Sequence, residues 1–156
     1  MYNGAMTVFD PRPGRSGSLA PGKARFSALS PTIVFNGDHP CLVLGAPGAT
    51  YITMGNLQVM LNVLDFGMSA QEAVIAPRFA ALSNILELSN RILRSAERDL
   101  RDQGYPILRH PVSYTFAWVH AIRIKDGKWD GGADPATDGM ATVSYTHLRA
   151  HETLLY

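Results

Sequence analysis

The chain is poor in cysteine: Cys41 is the single one among 156 residues, so no internal disulfide is available. It also lacks a charge bias, since 14 Lys and Arg against 13 Asp and Glu leave a net charge of +1. That balance argues against the positive footprint with which proteins hold nucleic acid or an anionic membrane, and neither partner is expected. No long apolar run is present. The most apolar stretch, 51–66, is interrupted by Asn56, Gln58, Asn62 and Asp65, too short and too polar to cross a bilayer. The opening "MYNGAMTVFD" has neither a basic start nor an apolar core, so no secretory signal is visible and the compartment stays open. Cys and His show no metal-ligand spacing; no metal and no cofactor is expected. What is present is 46% hydrophobic and 17% charged residues, a globular composition of one-domain length.

Residues 10–24, "DPRPGRSGSLAPGKA", have loop composition. In "PTIVFNGDHPCLVLG" two short apolar runs flank Asn36-Gly37, a strong hairpin signal because both residues accept positive φ. Cys41 lies inside the second run and reads as a small buried hydrophobe. The segment 50–66 predicts a helix with Leu57, Met60, Leu61 and Leu64 at helical spacing. Ile52, Val59 and Val63 widen its apolar arc, so most of its sides should be covered. Gly67 ends it, and "SAQE", Ser69–Glu72, is a capping box opening a short helix that stops at Pro77. A third helix is expected over 91–103, with Ile92, Leu93, Ala96 and Leu100 on one face and Glu97–Arg101 as a favourable i,i+4 pair. "PILRH", "SYTFAWVHAIRI" and a turn at Asp126-Gly127 read as strands. Strands with helices between them make the class α/β or α+β.

Several motifs invite chemistry. "GSLAPGK", 17–23, has most of a phosphate-binding loop, but Ala24 stands where a magnesium-ligating Ser or Thr belongs. Pro21 also removes a backbone donor, and no apolar strand precedes the motif. His39, His110 and His120 are far apart in sequence and receive no role. Ser27 and Ser30 precede a strand and suit turn chemistry; no Gly-x-Ser-x-Gly elbow is present. "LGAPGAT", 44–50, reads as strand, tight turn and helix start. Backbone N–H groups at such a turn, next to a helix N-terminus, suit a carboxylate or the oxyanion of acyl transfer, or the turn simply reverses the chain.

Taken together, "PGKARFSALSPTIVF", the "GAPGA" turn, "LQVMLNVLDFGM", "QEAVIAPRF" and the closing "GGADPATDG" resemble the small subunit of the γ-glutamyltranspeptidase family over about residues 1–141. The resemblance implies an α+β N-terminal nucleophile hydrolase fold, a four-layer α-β-β-α sandwich of which this chain would hold part. It implies a precursor that cleaves itself and an N-terminal Thr that attacks a γ-glutamyl amide, with its own α-amine as base. No segment resembles that Thr motif, so no catalytic residue is assigned. Residues 1–142 are expected to be the C-terminal part of such a small subunit. Its partner would be the missing N-terminal part of the precursor, and its substrate a small amide. Alone it should be inactive, with an apolar sheet edge and face exposed and prone to aggregate.

The family's roles carry over unevenly. Gly48 matches the first of two adjacent oxyanion glycines and Ala49 replaces the second, keeping the amide. Ser27 matches the first of two serines that hold a substrate carboxylate, and Ala28 replaces the second. In "NGAMTV", Ala5 and Val8 stand where polar groups would grip the substrate amine. The resemblance therefore implies an acylase or amidohydrolase with altered substrate preference; the other reading is a degenerate, non-catalytic binding or assembly module. Finally, "VSYTHLRAHET", 143–153, resembles the in-frame translation of a transposase-type sequencing adapter. Residues 143–156 are accordingly expected to be an artefactual tail, and Tyr145, His147 and His151 carry no functional weight.

Overall fold

The chain turns at Gly37-Asp38, one residue later than expected. In the computed structural model, which describes residues 4–114 and 116–142, strand β1 (Thr32–Asn36) pairs antiparallel with β2 (His39–Gly45). Asn36 faces His39 as the last strand pair. The residue that needs a left-handed backbone is Gly37, at φ 60°, so Asn36 remains in the ladder. The Asp126-Gly127 turn lies where expected; both residues have positive φ, 52° and 70°, as a two-residue hairpin turn requires. It joins β6 (His120–Lys125) to β7 (Lys128–Gly132). The expected strand through 113–119 does not form; that stretch is irregular over its described residues. The expected artefactual tail, 143–156, lies outside the described residues.

β1, β2, β6 and β7 form an antiparallel sheet in the order β1-β2-β6-β7. Helices α1 (Ile52–Leu64) and α2 (Ala70–Ile75) pack on one face of it. The core between them holds Leu42, Leu44, Val59, Val63, Ala70, Ala73, Val74, Val119 and Ala121. Cys41 is half-buried, not fully buried as expected: it is the extra residue where the β1–β2 register shifts, and it packs against the margin of this core.

α1 buries a different face from the one its leucines suggest. Ile52, Gly55, Asn56, Val59 and Val63 are buried, whereas Leu57, Leu61 and Leu64 are each 39–47% exposed. The inward stripe includes a glycine and an asparagine, because two close approaches occur there. α2 has the predicted capping box: Glu72 N–H donates to Ser69 Oγ (3.2 Å), and Ser69 N–H donates to Glu72 Oε2 (2.8 Å). The helix is tied to β7, where Asp130 Oδ2 accepts from Ala70 N–H (2.8 Å).

A second, three-stranded sheet contains β3 (Phe79–Ala80), β4 (Leu86–Leu88) and β5 (Ile107–Arg109). β4 and β5 are parallel, and α3 (Arg94–Asp102) makes the crossover. Gln58 of α1 anchors β3 by pairing both ways with the Phe79 backbone, at 2.8 and 3.0 Å. α3 is shorter than expected. Ile92 and Leu93 precede it, Leu93 is exposed, and the residue α3 buries is Glu97. Arg94, Arg101 and Arg109 surround that carboxylate at 3.2, 3.0 and 2.6 Å. The expected Glu97–Arg101 pair is thus one arm of a cluster. Hydrogen bonds from Arg101 first, then Arg109, hold the Glu97 pKa down to about 2.

The other face of the four-stranded sheet is largely bare among the described residues: residues 137–142 lie over one corner only, where Thr137 meets His120 and Ala141 backs Gly131. Ile33 and Phe35 are each 57% exposed, Ile122 41% and Trp129 70%. Successive strand residues alternate between faces, so these side chains lie opposite Leu42, Leu44 and Ala121. No helix among the described residues is long and apolar enough to cross a membrane.

Candidate active site

Between β2 and α1 the chain runs through Ala46-Pro47-Gly48 into a 3-10 turn, Ala49–Tyr51. Gly48 has φ 140° and ψ 18°, and Ala49 has φ 52°. Gly48 is needed for space as well as for conformation: a Cβ there would lie 2.7 Å from Ala117 Cα. Ala49 adopts a left-handed backbone that costs a non-glycine residue about 1–2 kcal/mol. Tyr51 N–H closes the turn onto the Gly48 carbonyl (3.1 Å). The N–H groups of Gly48 and Ala49 have no hydrogen-bond partner among the described residues. Gly48 is half-buried and Ala49 exposed, so these amides stand at an open surface ahead of α1. Two successive free donors there, reinforced by the helix dipole, offer hydrogen bonds to an anionic oxygen.

The loop carrying Ser27 and Ala28 reaches the same end of the sheet. It leads into β1, whose Thr32 pairs with Leu44 just before the turn. Asn56 of α1 braces it, donating from Nδ2 to the Ser30 carbonyl (2.7 Å) and to Ser30 Oγ (3.2 Å). Ser27 itself is exposed, its Oγ accepting only a local bond from Leu29 N–H (3.3 Å), and Ala28 is half-buried. Ala5 and Val8 lie in a 3-10 turn, Gly4–Val8, and Val8 is 41% exposed. The loop "GSLAPGK" has neither a strand before it nor a helix after it, and Ser18 turns inward to bond Arg15 N–H and the Arg12 carbonyl.

Around the turn stand groups that the sequence alone did not single out. Tyr51 Oη donates to Glu87 Oε2 (3.0 Å), the same oxygen that His110 Nε2 reaches at 2.8 Å. Burial first, and the Glu87 carboxylate second, raise the Tyr51 pKa above its ordinary value. Phe116 meets the Tyr51 and His110 rings edge-on, at 5.5 and 5.2 Å between centroids. Arg78 and Asp134 form a buried ion pair (2.5 Å) between the "QEAVIAPRF" and "GGADPATDG" blocks. The two blocks are distinctive in sequence, but nothing local shows that their charges meet.

A family model described as Gamma-glutamyltranspeptidase matches residues 1–144. The Acylase ACY 1 proenzyme of Pseudomonas sp. (strain V22) is 39% identical over 138 residues, covering 88% of this chain and 24% of its own. The Glutathione hydrolase proenzyme of Bacillus subtilis (strain 168) is 29% identical over 142 residues, covering 90% of this chain and 24% of its own. The chain therefore spans about a quarter of the length of these relatives. The solved γ-glutamyltranspeptidase from Pseudomonas nitroreducens complexed with L-DON superposes with a TM-score of 0.80 at 26% identity, over 92% of this chain and 81% of that one. The cephalosporin acylase from Bacillus halodurans gives 0.81 at 25% identity, over 90% of this chain and 27% of that one. The fold is accordingly α+β and part of an N-terminal nucleophile hydrolase, as the sequence resemblance implied. On the match across residues 1–144, this chain belongs to the γ-glutamyltranspeptidase family.

Proposed function

We propose that residues 1–142 are the C-terminal part of the small subunit of a Thr-nucleophile amidohydrolase or acyltransferase, with the Gly48 and Ala49 amides as its oxyanion hole. The observation that carries this reading is the pair of unpartnered amides, held at φ 140° and 52° between β2 and α1. In the reaction, a Thr hydroxyl from outside this chain attacks the amide carbonyl while its α-amine takes the proton. The C–O bond forms, and Gly48 and Ala49 donate to the oxygen that becomes negative. The C–N bond then breaks, the leaving amine receives the proton, and the acyl group passes to water or to an amino acid. The remainder of the precursor would supply the Thr and cover the bare sheet face. That the relatives are named proenzymes supports this division. Residues 143–156 remain, in this reading, an artefact; sequencing the native locus past Ala141 tests that.

The acyl donor is proposed to be an amide held less by charge than a γ-glutamyl group is. The relatives include both an acylase and glutathione hydrolases, so kinship supports either donor. Ala5, Val8 and Ala28 favour the acylase side, because none offers a group to pair with an ammonium or carboxylate. A buried charge left unpaired costs about 2–5 kcal/mol. The same three residues motivate the second reading, a non-catalytic homologue. The test is to express the full-length gene product, sequence the N-terminus of any small subunit, and assay γ-glutamyl and aliphatic acyl amides. A Thr at a self-cleavage junction with hydrolysis of aliphatic amides is expected. An uncleaved chain that hydrolyses neither class favours the second reading.

A further inference from the structure

We propose that Ala117 is a positioning residue: it is the wedge that fixes the backbone of Gly48 and Ala49, and so the direction of their N–H groups. The functional meaning rests on reading that turn as an oxyanion hole; the mechanical part does not.

The segment around Ala117 is irregular yet buried. Phe116 is 5% exposed, Ala117 1% and Val119 0%. Buried backbone outside regular structure must find its partners elsewhere. The Ala117 carbonyl accepts from Arg78 Nη2 (3.0 Å), and Trp118 N–H donates to the Pro47 carbonyl (3.1 Å). Arg78 is itself pinned by Asp134, with side chains 4% and 0% exposed. Ala117 is thus anchored behind by a buried guanidinium and in front by the residue preceding Gly48.

Its methyl group lies in a notch made by two glycines. A Cβ on Gly48 would lie 2.7 Å from Ala117 Cα and 2.9 Å from its Cβ; a Cβ on Gly55 would lie 2.9 Å from Ala117 Cβ. Gly55 is in the interior of α1, where glycine is unfavourable and needs a packing reason. Ala117 is that reason. The neighbouring Phe116 meets the ring of Tyr51, the last residue of the turn. Three consecutive residues therefore touch the turn, through a ring, a methyl and an amide.

The test uses the full-length gene product with three variants: Gly55→Ala, Ala117→Gly and the double variant, which moves the methyl across the notch. Hydrogen-exchange mass spectrometry follows the peptide spanning 46–51, where the Tyr51 N–H bonded to the Gly48 carbonyl is the protected reporter, and steady-state kinetics follow amide hydrolysis. Both single variants are expected to alter exchange at 46–51 and to lower kcat about tenfold or more, with KM within about threefold. The double variant is expected to recover most of both. Unchanged exchange in both single variants, or a double variant no better than Gly55→Ala, overturns the proposal. If Gly55→Ala does not fold, Ala117→Gly decides alone: faster exchange at 46–51 supports the wedge and unchanged exchange refutes it. If the parent hydrolyses no amide, the enzymatic reading falls, while the exchange comparison still judges the wedge.

Discussion

Ala49 holds a left-handed backbone at φ 52° that glycine would adopt without a Cβ penalty. Replacing it by glycine removes about 1–2 kcal/mol of strain and adds about 0.4–1 kcal/mol of unfolded-state entropy. Ala49→Gly should therefore raise the stability of the full-length protein by roughly 0.5–1 kcal/mol, read as a higher urea midpoint. A lower midpoint would mean that the side chain makes a compensating contact. Gly48→Ala should do the reverse and cost about 1–3 kcal/mol, because its Cβ would lie 2.7 Å from main-chain Ala117 Cα. An unchanged midpoint would show that the Ala117 segment yields. The turn was legible in sequence because Gly-x-Pro-Gly interrupts an apolar run. Its supports were not: Ala117 is an unremarkable small residue, and Arg78 and Asp134 meet across 56 residues. Neither leaves a local signature.

The helices show which local signals survive folding. The Ser69–Glu72 box was readable because both of its bonds lie within four residues, and Ser69→Ala should cost about 1 kcal/mol. The inward face of α1 was readable only in part: Ile52, Val59 and Val63 belonged to the expected apolar arc and are buried, but Gly55 and Asn56 break the hydrophobic pattern of that stripe. Leu57, Leu61 and Leu64 drew attention to the outer face instead. In α3 the Glu97 cluster sets a pH dependence. Its folded pKa of about 2 lies below the ordinary 4.5, so its contribution is fully present above about pH 4.5 and is lost as pH falls toward about 2. Glu97→Gln should be less stable than the parent at neutral pH, and the gap between their urea midpoints should close over that acid range. Parallel curves would contradict this assignment of Glu97.

At the scale of the whole molecule, helices cover one sheet face while Ile33, Phe35, Ile122 and Trp129 stand exposed on the other. The resemblance to part of a sandwich had implied an exposed apolar sheet face, and most of that face is bare among the described residues. Residues 1–142 expressed alone should self-associate, with sedimentation velocity showing concentration-dependent species. A monodisperse monomer with one sharp melt would mean that the face needs no partner. Of the two donors assigned to the site, the Ala49 amide can be removed without touching a side chain. Incorporating lactic acid at position 49 of the full-length protein replaces that N–H with an ester oxygen and leaves the side chain intact. If Gly48 and Ala49 form the oxyanion hole, kcat for amide hydrolysis falls by about 10²–10³ with little change in KM. An unchanged kcat would show that the developing charge is stabilised elsewhere.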